Sequence, residues 1–482
     1  MNEYKCEAIE VAKINNDHIE TFEVKINDFD RKGSGRGVAY RDNGGHKPRQ
    51  IKLTIPQTIP GEKVLVDVPN PTRKRGTVMP KEIIEESPNR ITPPCPHFEL
   101  CGGCVWQHWT YNSQLIEKTN YVKRELERNG FDQNIVKDAI GMEKNPFEYR
   151  NKMEFTFGQN GELGMHELGN FRKVIDLDTC LIADKDMVNA MLTVSEWTRK
   201  NNLPGYHKEN HTGLLRHLMV RRSQETKEMM LAIFATETPD GELKDKIDEL
   251  VADISAQFSN VKSMMWMVNT DMADRTQSED TYTLFGRDYI YDVMYGYKYR
   301  IWFDTFFQTN PTQAEKLVDL AIEMAEATED QRMIDLFCGV GTFSLPFAKR
   351  VKELAGIEIV ETSIESAKRN AEDNGINNTY FLAKDARKGM DEVLETWGKP
   401  DLLMLDPPRS GAGGKVMRRI GRLGTERVVY VSCNPETFSD DIVWLREFGY
   451  ELKQVQPVDL FPHTAHVEVV SLLEKTSEAT IN

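Results

Sequence analysis

Over the last third of the chain, seven short apolar runs (residues 333–337, 354–359, 380–383, 402–405, 428–432, 452–458 and 467–473) alternate with segments of helical patterning such as 361–374 and 415–423. Short apolar runs joined through amphipathic helices are strands buried on both faces, and strands linked in this way run parallel. The fold class predicted is therefore α/β, with a mostly parallel seven-stranded sheet covered by helices. Asn310 followed by Pro311 predicts the start of a preceding helix, with Ala314, Leu317, Val318, Ala321 and Ala325 recurring at helical spacing.

The rest of the chain reads differently. Up to about residue 88, short alternating stretches (22–26, 37–40, 51–55, 64–68, 76–79) are punctuated by Asn43-Gly44-Gly45 and Pro60-Gly61. That pattern predicts a small OB-like β-barrel. Residues 89–300 are mixed, with a helix over 111–128 and strands near 153–157, 218–221 and 229–234, an α+β region. The expected domains are thus 1–88, 89–300 and 301–482. No run of about 18 apolar residues occurs, and residues 1–16 alternate charged and apolar side chains, so neither export nor membrane insertion is expected and the cytoplasm is the expected location.

The formal charge of −15 taken alone argues against a nucleic-acid partner, because phosphates require positive charge. Its distribution reverses that reading. Between residues 31 and 81 twelve Lys or Arg face three acids, and Arg409, Lys415, Arg418, Arg419, Arg422 and Arg427, diluted only by Glu426, form a second basic stretch. Either run alone would be an ordinary solvated surface; together they favour RNA.

Seven cysteines are present. In a reducing compartment, Cys95, Cys101 and Cys104, with Gly102 and Gly103 between, read as metal ligands rather than disulfide partners, and Cys180 is the available fourth. Four thiolates suit structural zinc or a [4Fe-4S] cluster, and spacing does not separate the two.

The segment 335–343, Asp-Leu-Phe-Cys-Gly-Val-Gly-Thr-Phe, ends the first apolar run and opens a helix. Two glycines there let the backbone approach a ligand at the carboxyl edge of the sheet, although the third glycine of a dinucleotide fingerprint is absent. Glu358, Asp385 and Asp406 end the next strands, and a carboxylate at such a place can accept both hydroxyls of a ribose. A glycine pair alone is as often a structural turn; acids at successive strand ends point to an adenosine-containing ligand without a pyrophosphate, for which S-adenosylmethionine is the natural candidate.

These residues, with Phe306-Phe307-Gln308-Thr309-Asn310, Asp406-Pro407-Pro408-Arg409, Ser432-Cys433-Asn434-Pro435 and 461–468, resemble the RNA uracil-5-methyltransferase family, in particular members with an N-terminal TRAM domain and an iron-sulfur cluster. Residues 60–64 are similar to the TRAM segment and 95–104 to the cluster segment. The resemblance implies a class I, Rossmann-like methyltransferase domain and a donor site formed by Gln308, Phe337, Thr342, Glu358, Asp385 and Asp406. Thr342 is a departure, standing where relatives place asparagine. It further implies Cys433 as nucleophile, Glu468 as base, and a [4Fe-4S] cluster on Cys95, Cys101, Cys104 and Cys180. Members with both added segments resemble bacterial large-subunit ribosomal RNA enzymes, so 23S rRNA is the first expected substrate and tRNA the second, with no obligate protein partner.

The chemistry requires such residues. Carbon 5 of uracil is a poor nucleophile until a thiolate adds to carbon 6, and after methylation a base must remove the carbon 5 proton. An electropositive surrounding that includes Arg409 is expected to lower the Cys433 pKa. Phe306 and Phe307 are candidates for stacking on an extruded uracil, one ring against the base and the other in the core. His463 and His466 are expected to orient groups or contact phosphate. His466-Val467-Glu468 lacks the Pro-Cys-x-x-Cys partner of a zinc deaminase. A cytosine-5-methyltransferase would need a second suitably placed cysteine, and a non-catalytic iron-sulfur RNA-binding protein would not need Cys433, Glu468 and the donor acids together.

Overall fold

The computed structural model describes residues 19–272 and 278–476; Cys6 and the alternation over 1–16 lie outside them. The described chain divides into two compact units. One comprises the residues up to Glu99 with Cys104–Thr110 and His463–Ala465; the other comprises Leu100–Gly103, Tyr111–Pro462 and the residues from His466 onward.

In the first unit six strands form one sheet, in the order Arg75–Thr77, His46–Ile55, Gly35–Asn43, Ile19–Phe29, Lys63–Pro69 and Pro80–Glu85. Alternation drives it: Val64, Val66 and Val68 face the core while Lys63, Leu65 and Asp67 are half-buried. Gly44 and Gly45 both take positive φ, as a two-residue hairpin joining right-twisted strands requires. Pro80–Glu85 was not expected, because Pro80 and a charged, largely exposed edge leave no apolar period to read. In the Pro60-Gly61-Glu62 segment, the fully buried Glu62 is bound by Arg90 at 2.5 and 2.9 Å and accepts the Ile59 N–H at 3.0 Å.

The second unit contains two seven-stranded sheets and a two-stranded hairpin. One sheet, spanning residues 152–286, is antiparallel apart from the pairing of Met229–Ala235 with Val261–Val268. The other carries the expected alternation: β1 (Arg332–Leu336), β2 (Glu353–Glu358), β3 (Thr379–Ala383), β4 (Leu402–Leu405), β5 (Arg427–Ser432), β6 (Tyr450–Val458) and β7 (Glu468–Lys475). Its order is β3-β2-β1-β4-β5-β7-β6, and β7 alone runs against the others. Strand order therefore reverses beside β1, and the crevice outside the carboxyl ends of β1 and β4 is where such sheets take ligands.

Helix Tyr111–Arg128 has the bounds its pattern predicts. Its Val122 and Leu126 enter the same core as Ile334, Leu336 and Leu405 of this sheet, so the helix is built into the parallel-sheet layer. The hairpin Tyr289–Met294 and Tyr297–Trp302 likewise buries Ile290, Tyr299 and Ile301 against Phe307, Val340 and Phe343. Asn310 caps the helix Pro311–Ala325 by accepting the Gln313 N–H. Among the described residues no helix is long and apolar enough to cross a membrane.

Candidate active site

β1 runs into a tight loop. Phe337 has φ of +63°, and its N–H and that of Cys338 both donate to the Ile357 carbonyl, at 2.8 and 3.2 Å. Gly339 and Gly341 follow with positive φ; a Cβ at Gly341 would lie 2.7 Å from Leu345, whereas one at Gly339 would meet nothing within 4 Å. The backbone at Gly339 is thus open to an approaching ligand.

Acids surround this opening. Asp335 is buried, accepts the Ser344 hydroxyl at 2.5 Å through one oxygen, and has no partner for the other among the described residues. Burial raises its pKa to about 7. It was not among the expected site residues; the signal was its place at the end of β1 with Ser344 one loop later. Asp406 is likewise raised to about 7, by burial and then by the Asp335 charge. Glu358 is half-buried and accepts the Val360 N–H at 3.0 Å. Asp385 caps the helix Ala386–Trp397 through the Arg387 N–H at 3.1 Å, so a local structural bond already accounts for one of its oxygens. The Thr342 carbonyl accepts the Tyr299 hydroxyl at 3.4 Å. Gln308 is buried, its carbonyl taking the Asn151 amide at 3.0 Å.

The candidate nucleophile and base come from neighbouring strand ends. Ser432 of β5 lies opposite Val469 of β7, so one antiparallel step further Cys433 faces Glu468. Asn434 caps the helix Pro435–Arg446 and also donates from its amide to the Arg409 carbonyl at 3.0 Å, tying the β4 and β5 loops together. Glu468 is buried, and burial, followed by the Asp406 charge, lifts its carboxyl to about 8.

The expected low-pKa thiolate is not what the structure holds. Burial first, then Glu468 and Asp406, push the Cys433 thiol up to about 12; Arg409 acts downward, as anticipated, and is outweighed. A single exposed guanidinium cannot offset desolvation and two carboxylates. His466 accepts a hydrogen bond from Arg409 at 3.0 Å through Nδ1 and is pushed down to about 4 by burial and by Arg409, so it is neutral at pH 7. His463 takes a positive φ, and its backbone carbonyl accepts the Val105 and Trp106 N–H groups within the first unit.

The two aromatic rings differ in burial, and only one is in the core. Phe307 is 3 % exposed and packs on Tyr299 with centroids 5.3 Å apart, whereas Phe306 is 70 % exposed. Tyr299 was missed by sequence reasoning, although the alternation Tyr297, Tyr299, Ile301 places it on the inward face of its strand.

All four candidate ligand cysteines are half-buried, Cys95 and Cys104 in the first unit and Cys101 and Cys180 in the second. The Cys95 N–H donates to the Gln107 side-chain oxygen at 3.2 Å, and the Cys101 sulfur accepts the Gly103 N–H at 3.4 Å. No group of three or more His, Cys, Asp or Glu that could hold a metal ion stands among the described residues.

Residues 110–476 match the family described as tRNA (uracil-5-)-methyltransferase. The chain belongs to this family. As a member of it, the protein is an RNA methyltransferase. It is 38 % identical over 467 residues to an uncharacterized RNA methyltransferase of Caldanaerobacter subterraneus subsp. tengcongensis, covering 95 % of this chain and 99 % of that one. A second, of Halalkalibacterium halodurans, is 36 % identical over 94 % of this chain and 97 % of its own. Among solved structures, the tRNA (uracil-54, C5)-methyltransferase of Pyrococcus abyssi, in complex with S-adenosyl-L-homocysteine, superposes with a TM-score of 0.73 at 27 % identity, over 94 % of this chain and 99 % of that one. In this methyltransferase family member the glycine loop, the strand-end acids and the Cys433–Glu468 pair all lie at the carboxyl edge of one sheet.

Proposed function

We propose that the protein methylates carbon 5 of a uridine in RNA through a transient bond between the Cys433 sulfur and carbon 6 of the ring. The observation that carries this is the placement of a thiol and a buried carboxyl across one antiparallel step, beside the donor loop. When bound, S-adenosylmethionine supplies an electrophilic methyl group. The open backbone at Gly339 and the unpaired, buried oxygen of Asp335 fit such a polar ligand, with Phe337, Thr342, Glu358, Asp385, Asp406 and Gln308 as the surrounding residues.

Cys433 gives up its proton to water as Sγ bonds carbon 6, and the electron pair of the 5,6 double bond moves to the O4 carbonyl oxygen. Carbon 5 then has enolate character and takes the methyl group. Ionised Glu468 removes the carbon 5 proton, the double bond re-forms, and the sulfur leaves as thiolate. Phe306, which is exposed, stacks on the extruded base, whose removal from the RNA stack costs a few kcal/mol.

Large-subunit ribosomal RNA is the first substrate in this reading, from the sequence resemblance; tRNA is the second, favoured by the solved relative. Incubation with methyl-labelled donor and separately purified rRNA and tRNA, followed by nucleoside digestion, gives labelled 5-methyluridine from one of them. Labelled 5-methylcytidine, or no product from either, overturns the reading.

Cys95, Cys101, Cys104 and Cys180 as holders of a [4Fe-4S] cluster, and a TRAM-like N-terminal domain, complete the reading. Its support is the all-thiol donor set and the resemblance of residues 95–104, and no catalytic step passes through it. Anaerobically purified protein with visible charge-transfer absorption and bound iron agrees with it; a colourless protein with stoichiometric zinc does not.

A further inference from the structure

The basic stretch over residues 409–427 is sorted by the fold into two groups. Arg409 is bonded to His466, Arg419 to Asp391, and Arg427 to Glu326 and Glu474. Lys415, Arg418 and Arg422 take part in no ion pair among the described residues. All three lie on the helix Gly414–Leu423, at positions i, i+3 and i+7, opposite the buried Met417, Ile420 and Leu423. The charge stripe is therefore continuous on one face, in a chain whose formal charge is −15.

Two acids close to this helix are already engaged. Asp391 holds Arg419, and Asp441 accepts the Ala412 and Gly413 N–H groups and the Tyr430 hydroxyl. The Arg418 guanidinium instead lies 4.2 Å from the centre of the Trp444 indole. Gly414 permits that arrangement, because a Cβ there would come within 2.8 Å of the ring. Three cations without carboxylate partners, one of them held over the half-buried Trp444 indole, are the complement of a nucleic-acid strand, whose phosphates need charge.

The position in the fold fixes where such a strand would lie. The helix follows β4 and starts five residues after Arg409, so Lys415 stands toward the catalytic edge. At about 1.5 Å rise per residue, Arg422 is about 10 Å further along. That matches about three nucleotides of stacked strand at about 3.4 Å each.

We propose that Lys415, Arg418 and Arg422, together with Trp444, form a phosphate-contacting track that holds the RNA flanking the target uridine. This rests on the reading of RNA as substrate. Each phosphate neutralised on a single strand releases counterions and steepens the fall of log affinity with log salt by about 0.7.

The test compares the full-length wild type with the triple variant Lys415→Gln, Arg418→Gln, Arg422→Gln. The probe is fluorescein-labelled oligouridylate, measured by anisotropy from about 50 to about 200 mM salt. The triple variant binds about tenfold or more weakly at the low-salt end, and its salt slope is shallower by about 2. Arg419→Gln, which removes a cation already paired, leaves the slope as in the wild type. If the triple variant does not fold, the exposed single changes Lys415→Gln and Arg422→Gln each lower the slope by about 0.7. Equal slopes and affinities in variant and wild type, or an equal loss with Arg419→Gln, overturn the track. A wild type that made no 5-methyluridine yet kept the slope difference would support the track and remove only the activity reading.

Discussion

Replacing Glu468 by glutamine removes a charge that the fold holds at a cost, and the structure sets its size. The carboxyl rises from 4.5 to about 8, with burial as the first cause. A group whose folded pKa lies above its unfolded one binds its proton more tightly in the folded state. Stability is therefore fully present below about 4.5 and is lost as the pH rises toward about 8. At about 1.4 kcal/mol per unit, the loss is about 1 kcal/mol at pH 5 and about 5 kcal/mol at pH 9. Glu468→Gln keeps the shape and cannot ionise, so its advantage over the wild type grows by about 4 kcal/mol between those two values. Calorimetric melting of both proteins at pH 5 and pH 9, without donor or RNA, reads this as a gap in melting temperature that widens with pH. In the proposed reaction the same variant cannot take the carbon 5 proton, so the expected outcome is that protein covalently joined to methylated RNA accumulates instead of turning over. A melting-temperature gap independent of pH, or a variant less stable than the wild type at pH 9, refutes the assignment of a buried, costly carboxylate.

Two further outcomes are expected. In the proposed reaction Glu468 acts as the ionised base, so initial rates at limiting RNA rise about tenfold per pH unit below about 8 and level off above it; a rise continuing well past pH 9 shows instead that ionisation of the Cys433 thiol sets the profile. Phe306→Ala loses the base stack, about 1–3 kcal/mol or roughly fivefold to more than a hundredfold in kcat/KM, with little change in melting. Phe307→Ala costs about 3–5 kcal/mol of stability, and the reverse pattern would exchange the two assignments.

The parallel sheet was legible because burial on both faces leaves a mark that depends on the chain alone: short apolar runs, spaced by helices. Its seven strands fall on the seven runs, and the Asn310-Pro311 start of a helix is capped as its residues dictate. Pro80–Glu85 escaped notice because an exposed edge strand needs no apolar alternation, only a neighbour's unsatisfied backbone. Helix Tyr111–Arg128 was placed correctly as a helix, yet nothing in its own pattern tells that Val122 and Leu126 enter a core made by strands some two hundred residues later.

At the site, Cys433, Glu468 and the strand-end acids stood out in the sequence as candidates, through the family resemblance and because chemistry restricts which side chains can attack, accept a proton or bind a ribose. Their ionisation was not. The Cys433 thiol is protonated rather than activated because two carboxylates and a dry surrounding meet there, brought by β4 and β7. Likewise Asp385 was visible as an acid, whereas its helix-capping bond was not. Local sequence writes periodicity and side-chain chemistry; the electrostatic state of a buried group depends on which distant charges the packed chain sets beside it, and only the tertiary structure decides that.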